Sequence, residues 1–126
     1  MKKAILFILL IFAPLVLSAQ ASGPMISFDM ETIDYGEIIK GSDGFRTFTF
    51  ENTGDAPLEI QGVRSSCGCT IPKKPGAPIA PGEKGEITVR YDTNRLGVFR
   101  KTITVNTNVS SASIIALKVK GNVLAN

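Results

Sequence analysis

The sequence predicts an all-β domain of about seven short strands, folded as a sandwich of two sheets. Short stretches rich in β-branched and aromatic residues alternate with Gly, Pro, Asn and Asp turns, and apolar and polar residues alternate within these stretches. No segment after residue 21 keeps a helical period over three turns. Two sheets that are each apolar on one face bury those faces against each other. This strand number and spacing are typical of an immunoglobulin-like β-sandwich.

Seven segments carry the two-residue period. In one of the clearest, Phe48 and Phe50 alternate with Thr47, Thr49 and Glu51, as expected for a strand with one buried face. The segments are residues 25–29, 32–39 with an interruption at Gly36, 45–51, 58–63, 86–91, 99–105 and 114–123. We expect the core to contain their large inward residues, namely Phe48, Phe50, Ile87, Val89, Ile103, Val105, Leu117 and Val119.

One long segment, between Cys67 and Lys84, lacks this pattern. It contains prolines at positions 72, 75, 78 and 81. Proline has no amide hydrogen to donate to a neighbouring strand. The segment is therefore predicted to be a connection between strands and not a strand.

The first 21 residues have the pattern of a secretory signal peptide. Lys2 and Lys3 form a short positive region, residues 4–17 are apolar and uncharged, and residues 19–21 (Ala-Gln-Ala) have the small side chains that signal peptidase accepts. The apolar run is shorter than the ~20 residues that span a bilayer, and no cysteine follows it for lipid attachment. We expect cleavage after Ala21, no membrane span in the mature chain, and a periplasmic or secreted location.

The remaining chain, residues 22–126, is long enough for one domain and too short for two. Removing Lys2 and Lys3 from 14 basic residues leaves 12 against 11 acidic ones, so the net charge falls from +3 to +1. A nucleic-acid partner is therefore not expected. The chain has no histidine, which excludes Ser-His-Asp and Cys-His catalysis and histidine metal ligands. We expect no enzymatic activity.

The motif Cys67-Gly68-Cys69 is the one chemically distinctive constellation. Two thiols separated by one residue can close a small disulfide ring, and glycine between them eases the backbone angles that such a ring requires. An exported location favours the oxidised pair. The link closes almost no chain, so we expect it to add little loop-entropy stabilisation and to be reduced more easily than an ordinary structural bridge.

Three cations flank the cysteine pair and leave several roles open. Arg64 precedes it and Lys73 and Lys74 follow it, and positive neighbours favour the thiolate, which is the nucleophile and the soft-metal ligand. The pair could exchange disulfides, hold Cu(I) between two thiolates, or join a second chain in four thiolates around zinc. The alternative is a disulfide that only pins a turn at the end of the preceding strand, with no cofactor.

Most of the chain after the leader resembles the bacterial domain-of-unknown-function 1573 family. The element Ser66-Cys67-Gly68-Cys69-Thr70 is the most specific part of the resemblance. The other matching residues are Pro72, Pro81-Gly82, Tyr91-Asp92, Gly97, Phe99, Lys101, Ile103, Val105, Thr107-Asn108, Leu117, Val119 and Gly121, with a looser match at Asp34-Tyr35-Gly36 and Phe50-Glu51-Asn52-Thr53-Gly54.

The resemblance implies an exported immunoglobulin-like sandwich related to the domains of Hydin and the major sperm protein, and it implies no activity. The related eukaryotic domains are scaffolding and binding modules. We therefore expect an exported, non-enzymatic binding or scaffolding module whose partner is another exported protein or a cell-envelope component. The alternative is a thiol protein that uses Cys67 and Cys69 for redox exchange or soft-metal handling.

Overall fold

The structure, a computed structural model, describes residues 23–126. The predicted signal peptide and its cleavage site lie outside the described residues. The described part of the chain forms eight strands: β1 (Ile26–Phe28), β2 (Thr32–Ile39), β3 (Phe45–Asn52), β4 (Ile60–Ser65), β5 (Thr70–Lys73), β6 (Lys84–Tyr91), β7 (Gly97–Thr107) and β8 (Ile114–Leu124). It contains no helix, and so none there is long and apolar enough to cross a membrane.

The strands form two four-stranded sheets that pack face to face. Sheet A has the order β1-β3-β6-β5, and all of its neighbouring strands are antiparallel. Sheet B has the order β2-β8-β7-β4, in which β2 runs parallel to β8 and the other pairs are antiparallel. This arrangement confirms the predicted all-β sandwich, with one strand more than the seven expected.

The core lies between the sheets and is built from alternate residues of the long strands. Every residue that the sequence placed in the core is fully buried: Phe48, Phe50, Ile87, Val89, Ile103, Val105, Leu117 and Val119. Their polar neighbours along each strand face outward, because successive side chains of a strand point to opposite faces of the sheet. Burial of each large side chain contributes about 1.5–3 kcal/mol to folding.

The predicted interruption at Gly36 is present as a break in the pairing of β2 with β8. The register of the two strands shifts between Asp34 and Glu37. Gly36 has a φ of 70°, which only glycine adopts without strain, and its amide donates to Asp34 Oδ1 at 2.8 Å. The irregularity shifts the alternation by one residue, so that Ile33 and Tyr35 before it and Ile38 after it all face the core.

The prediction that the segment after Cys67 contains no strand was wrong. Residues Thr70–Lys73 form β5, which pairs with the end of β6 and includes Pro72 opposite Val89. Proline is tolerated there because β5 is the last strand of sheet A, and the missing amide hydrogen of Pro72 would face away from β6. Only the later prolines lie in an irregular connection.

The strand predicted to begin at Leu58 begins two residues later. Leu58 is fully buried, but it forms an isolated bridge with Ile79 through a pair of 2.8 Å backbone hydrogen bonds. The regular pairing of β4 with β7 begins at Ile60. The segment that follows β5 therefore returns alongside the start of β4.

Candidate functional site

The cysteine motif lies where the chain crosses from one sheet to the other. Residues 66–70, called the cysteine corner here, connect β4 at the edge of sheet B to β5 at the edge of sheet A. Such a crossing at the open side of a sandwich leaves the end of the core exposed unless a tight turn covers it. The corner provides that turn.

Hydrogen bonds attach the corner to both sheets. On the side of sheet B, Ser66 N donates to the Thr102 carbonyl at 3.0 Å and Ser66 Oγ accepts from Thr102 N at 3.2 Å. On the side of sheet A, the Cys69 carbonyl accepts from Asp92 N at 2.8 Å. The corner is therefore held in place by hydrogen bonds that do not depend on the sulfur atoms.

The two cysteines lie at disulfide distance, with their Sγ atoms 2.03 Å apart and their Cα atoms 5.2 Å apart. Cys69 is only 4% exposed and belongs to the core, whereas Cys67 is half-buried and packs against it. Gly68 between them does not have a positive φ, and a Cβ atom there would meet nothing within 4 Å. The expected need for glycine at this position is thus not visible in the backbone.

The three cations that the sequence placed around the pair do not converge on it. Arg64 lies on the exposed face of β4, opposite Thr104 of β7. Lys73 is exposed at the far end of β5, opposite Thr88. Lys74 lines a different hollow, together with the start of β4. Proximity in sequence therefore did not identify the cation that lies beside the cysteine corner.

The cation that lies beside the corner is Arg90 of β6. A surface hollow of about 220 Å³ is lined by Gly68, Cys69, Ile71, Arg90 and Asp92. Among residues 23–126 Arg90 forms no ion pair with a carboxylate. An approaching molecule would therefore meet two charges next to the disulfide, the cation of Arg90 and the carboxylate of Asp92.

Two large apolar side chains lie on either side of Arg90 on the outer face of sheet A. The register places Phe45 of β3 and Ile71 of β5 opposite Arg90 on its two neighbours. Phe45 is 54% exposed and Ile71 is 57% exposed, and the Arg90 guanidinium carbon lies 5.7 Å from the Phe45 ring centroid. We call Phe45, Arg90 and Ile71 the corner surface.

Two of these residues could have been suspected from the sequence. Phe45 shares its face of β3 with Thr47 and Thr49, so it is a large apolar residue at an outward position. Arg90 occupies an outward position of β6 in the same way. Their adjacency to each other and to Cys69 depends on the pairing of three strands, which the sequence pattern does not specify.

Beneath the cysteine corner, aromatic residues from the motifs that carry the family resemblance pack together. Tyr91 stacks on Phe99 with ring centroids 3.7 Å apart, and Tyr35 meets both rings edge-on. The Tyr35 hydroxyl donates to the Gly44 carbonyl at 2.8 Å, and the Arg46 guanidinium carbon lies 4.2 Å from the Tyr35 ring centroid. Burial raises the pKa of Tyr35 to about 12, although Arg46 opposes the shift. These side chains form the support of the site and not its surface.

The described residues contain no group of three or more His, Cys, Asp and Glu side chains that could hold a metal ion. The sequence suggested two thiolate sites: two sulfur ligands for Cu(I), or four for zinc between two chains. Either site would first require the bond between Cys67 and Cys69 to be broken.

Several solved structures share the fold. A protein of unknown function from Porphyromonas gingivalis W83 is 18% identical, with a TM-score of 0.72. The match covers 89% of this chain and 54% of the Porphyromonas gingivalis chain. The chain therefore spans about half the length of that protein. The ASH/PapD-like domain 7 of human CEP192 is 8% identical, with a TM-score of 0.66. The match covers 90% of this chain and 99% of the CEP192 domain.

The YadV chaperone is 13% identical, with a TM-score of 0.56. The match covers 77% of this chain and 51% of the YadV chain. Parts of a secreted serine protease from Vibrio cholerae and of a family 123 glycoside hydrolase from Clostridium perfringens are also similar in fold. Likeness at these identities shows an immunoglobulin-like fold alone.

No curated protein matches the chain in sequence. The model of one protein family does match, and it covers residues 26–123, from the first strand to the last. That region includes the cysteine corner, the corner surface and the tyrosines beneath them. The chain belongs to the DUF1573 family, described as proteins of unknown function.

Proposed function

We propose that the protein is an exported, non-enzymatic binding module that contacts another exported protein or a cell-envelope component through the corner surface. The observation that supports this proposal is the row formed by Phe45, Arg90 and Ile71 across three strands of sheet A. Both apolar side chains are more than half exposed. Contact of large apolar surface with water is unfavourable, so a partner that covers these side chains would gain binding free energy. Arginine between apolar groups is a frequent centre of protein interfaces.

The similar structures agree with binding as the role of this fold. The neighbours include an ASH/PapD-like domain and a chaperone, and a chaperone acts by binding other proteins. The family itself carries no described activity. If residues 1–21 are an export signal, as we propose, the partner lies outside the cytoplasm.

The test is affinity capture from the native exported fraction with three forms of the mature chain. A partner bound through the corner surface should be retained by the parent and lost by Phe45→Ser combined with Ile71→Ser. The matched control is Val98→Ser, because Val98 is 82% exposed on the other sheet. Equal retention by all three forms would reject the corner surface as the binding site.

A thiol function is the second candidate, and it is favoured by the hollow that opens onto Cys69 and by the half-exposed Cys67. A disulfide that works in exchange must be accessible to an attacking thiolate. We expect no free thiol in the exported protein and two after mild reduction. Rapid labelling of the reduced form at neutral pH, or uptake of Cu(I), would support thiol chemistry. Slow labelling without metal uptake would reject thiol chemistry, and binding would be the one remaining proposal.

A further inference from the structure

Three neighbouring strands of sheet B contain basic residues and no acidic ones. The strands β4, β7 and β8 carry five of the twelve basic residues that follow residue 21, namely Arg64, Arg100, Lys101, Lys118 and Lys120. The other seven basic residues share the rest of that segment with all eleven acidic residues. The net charge of +1 therefore conceals a separation of charge between this part of sheet B and the rest of the domain.

Four of these five cations lie on the outer face of sheet B. Each stands beside a residue that packs in or against the core, so the alternation of its strand turns the cation away from the other sheet. The four are Arg64, Arg100, Lys118 and Lys120, of which the first three are exposed. An approaching molecule can therefore reach them.

Arg100 and Lys120 are direct neighbours across β7 and β8, and Lys118 lies two residues from Lys120 on the same face. Facing side chains of paired strands have β carbons about 5 Å apart, and like charges at such positions destabilise a sheet. Thr102, opposite Lys118, completes a block of three cations and one hydroxyl group. The fold thus holds a local repulsion here, which a bound anion would relieve.

Two carboxylates lie beside this block without forming ion pairs with it. Asp34 of β2 lies opposite Lys120, and Glu37 shares with Asp34, Arg100 and Lys120 the lining of a hollow of about 250 Å³. Neither carboxylate forms a salt bridge with a cation of residues 23–126. Both lie at the β2 edge, so the excess of positive charge extends over β8, β7 and β4.

The shape of this face favours an extended anionic surface over a single small anion. Its cations stand on the open surface of a sheet, and one exposed ion pair contributes little to affinity. A bilayer with anionic lipids presents many negative headgroups in one plane. It can therefore meet all four cations at once, and each cation near such a surface adds to the binding.

We infer that the outer face of sheet B binds the surface of a bilayer that contains anionic phospholipids, through Arg64, Arg100, Lys118 and Lys120. This inference goes beyond the proposed function, because it assigns a second surface on the opposite side of the sandwich from Phe45, Arg90 and Ile71. A domain that lies on a bilayer in this way presents the corner surface to a partner in the surrounding solution.

The test is sedimentation of the mature chain with vesicles made of equal parts phosphatidylglycerol and phosphatidylcholine. We expect binding at about 50 mM salt, loss of binding at about 500 mM salt because ions screen exposed charges, and none to phosphatidylcholine alone. Arg100→Gln combined with Lys118→Gln should weaken binding about tenfold or more. The matched control is Lys73→Gln combined with Lys84→Gln, which lowers the net charge equally at exposed positions of sheet A.

Urea denaturation separates lost binding from lost folding. The variant at Arg100 and Lys118 should be at least as stable as the parent, because it removes a repulsion. Failure to bind the anionic vesicles, equal weakening by the two double variants, or binding that persists at high salt would overturn the inference. So would retention on immobilised polyglutamate without vesicle binding, which would assign the face to an acidic polypeptide. Capture through Phe45 and Ile71 is measured without vesicles, so the proposed function stands or fails separately.

Discussion

The buried side chain of Asn52 connects β3 to the segment before β6, because its Nδ2 atom donates to the Ile79 carbonyl at 2.9 Å. The same Nδ2 donates to the Ala56 carbonyl at 2.7 Å, and Oδ1 accepts from Gly54 N at 2.9 Å and Met25 N at 3.3 Å. One amide side chain thus satisfies backbone groups from three separate segments. No apolar residue of similar size could do so.

Replacing Asn52 with alanine is therefore expected to lower the free energy of unfolding by about 2–4 kcal/mol, because it leaves several part-buried backbone groups without partners. Urea denaturation measures the loss. The control is Asn108→Ala, since Asn108 also bridges two backbone groups, Glu59 N and the Pro57 carbonyl, but at an exposed site. A loss of about 1 kcal/mol or less is expected there, and equal losses would contradict the role of burial.

The stability of the protein should fall between pH 10 and about 12 because of Tyr35. Burial raises its pKa from 10.0 to about 12 in the folded state, so folding favours the neutral phenol. Its contribution is complete below the unfolded pKa and is lost as the pH approaches the folded value. Urea unfolding at about pH 9 and about pH 11 should show a smaller pH dependence for Tyr35→Phe than for the parent. Tyr91, whose pKa burial also raises, is present in both proteins. Equal slopes would contradict the shift.

The sandwich was predictable from the sequence because alternation records which face of a strand is buried. Phe48 and Phe50 follow this rule and lie in the core. The strand β5 is not predictable in this way, because Pro72 argues against a strand in general, although an edge strand needs no donor on its outer side. The corner surface was missed for another reason. Arg90 meets Cys69 and Ile71 only through strand pairing, and neighbours in sequence such as Lys74 point elsewhere.

Truncation of one core residue tests the packing between the sheets. Phe50 is fully buried, and its ring lies 5.5 Å from that of Phe28 across the β1–β3 pair. Phe50→Ala should lower the free energy of unfolding by about 3–5 kcal/mol through lost burial and a residual cavity. Val98→Ala, at an exposed position, should change it by less than about 0.5 kcal/mol. Circular dichroism should show a β spectrum for the parent, and similar stabilities of the two variants would contradict this core.

Cleavage after Ala21 is the expected fate of the leader, and it would remove Lys2 and Lys3 from the mature protein. The intact mass of the exported product measures it directly. Replacing Ala19 and Ala21 with leucine should block processing, because the peptidase accepts only small side chains at those positions. An exported product that still carries Lys2 and Lys3 would contradict both the cleavage site and the charge of +1 assigned to the mature chain.

The bond between Cys67 and Cys69 should contribute little to global stability, because it spans one residue and removes little entropy from the unfolded chain. Hydrogen bonds to Thr102 and Asp92 hold the corner independently of the sulfur atoms. Cys67→Ala combined with Cys69→Ala should unfold within about 1–2 kcal/mol of the parent, below the ~2–5 kcal/mol usual for a lost native bridge. Alanine is the appropriate replacement because a serine hydroxyl at buried Cys69 adds a desolvation cost. Failure of the double variant to fold would show that the bridge, and not the hydrogen bonds, supports the corner.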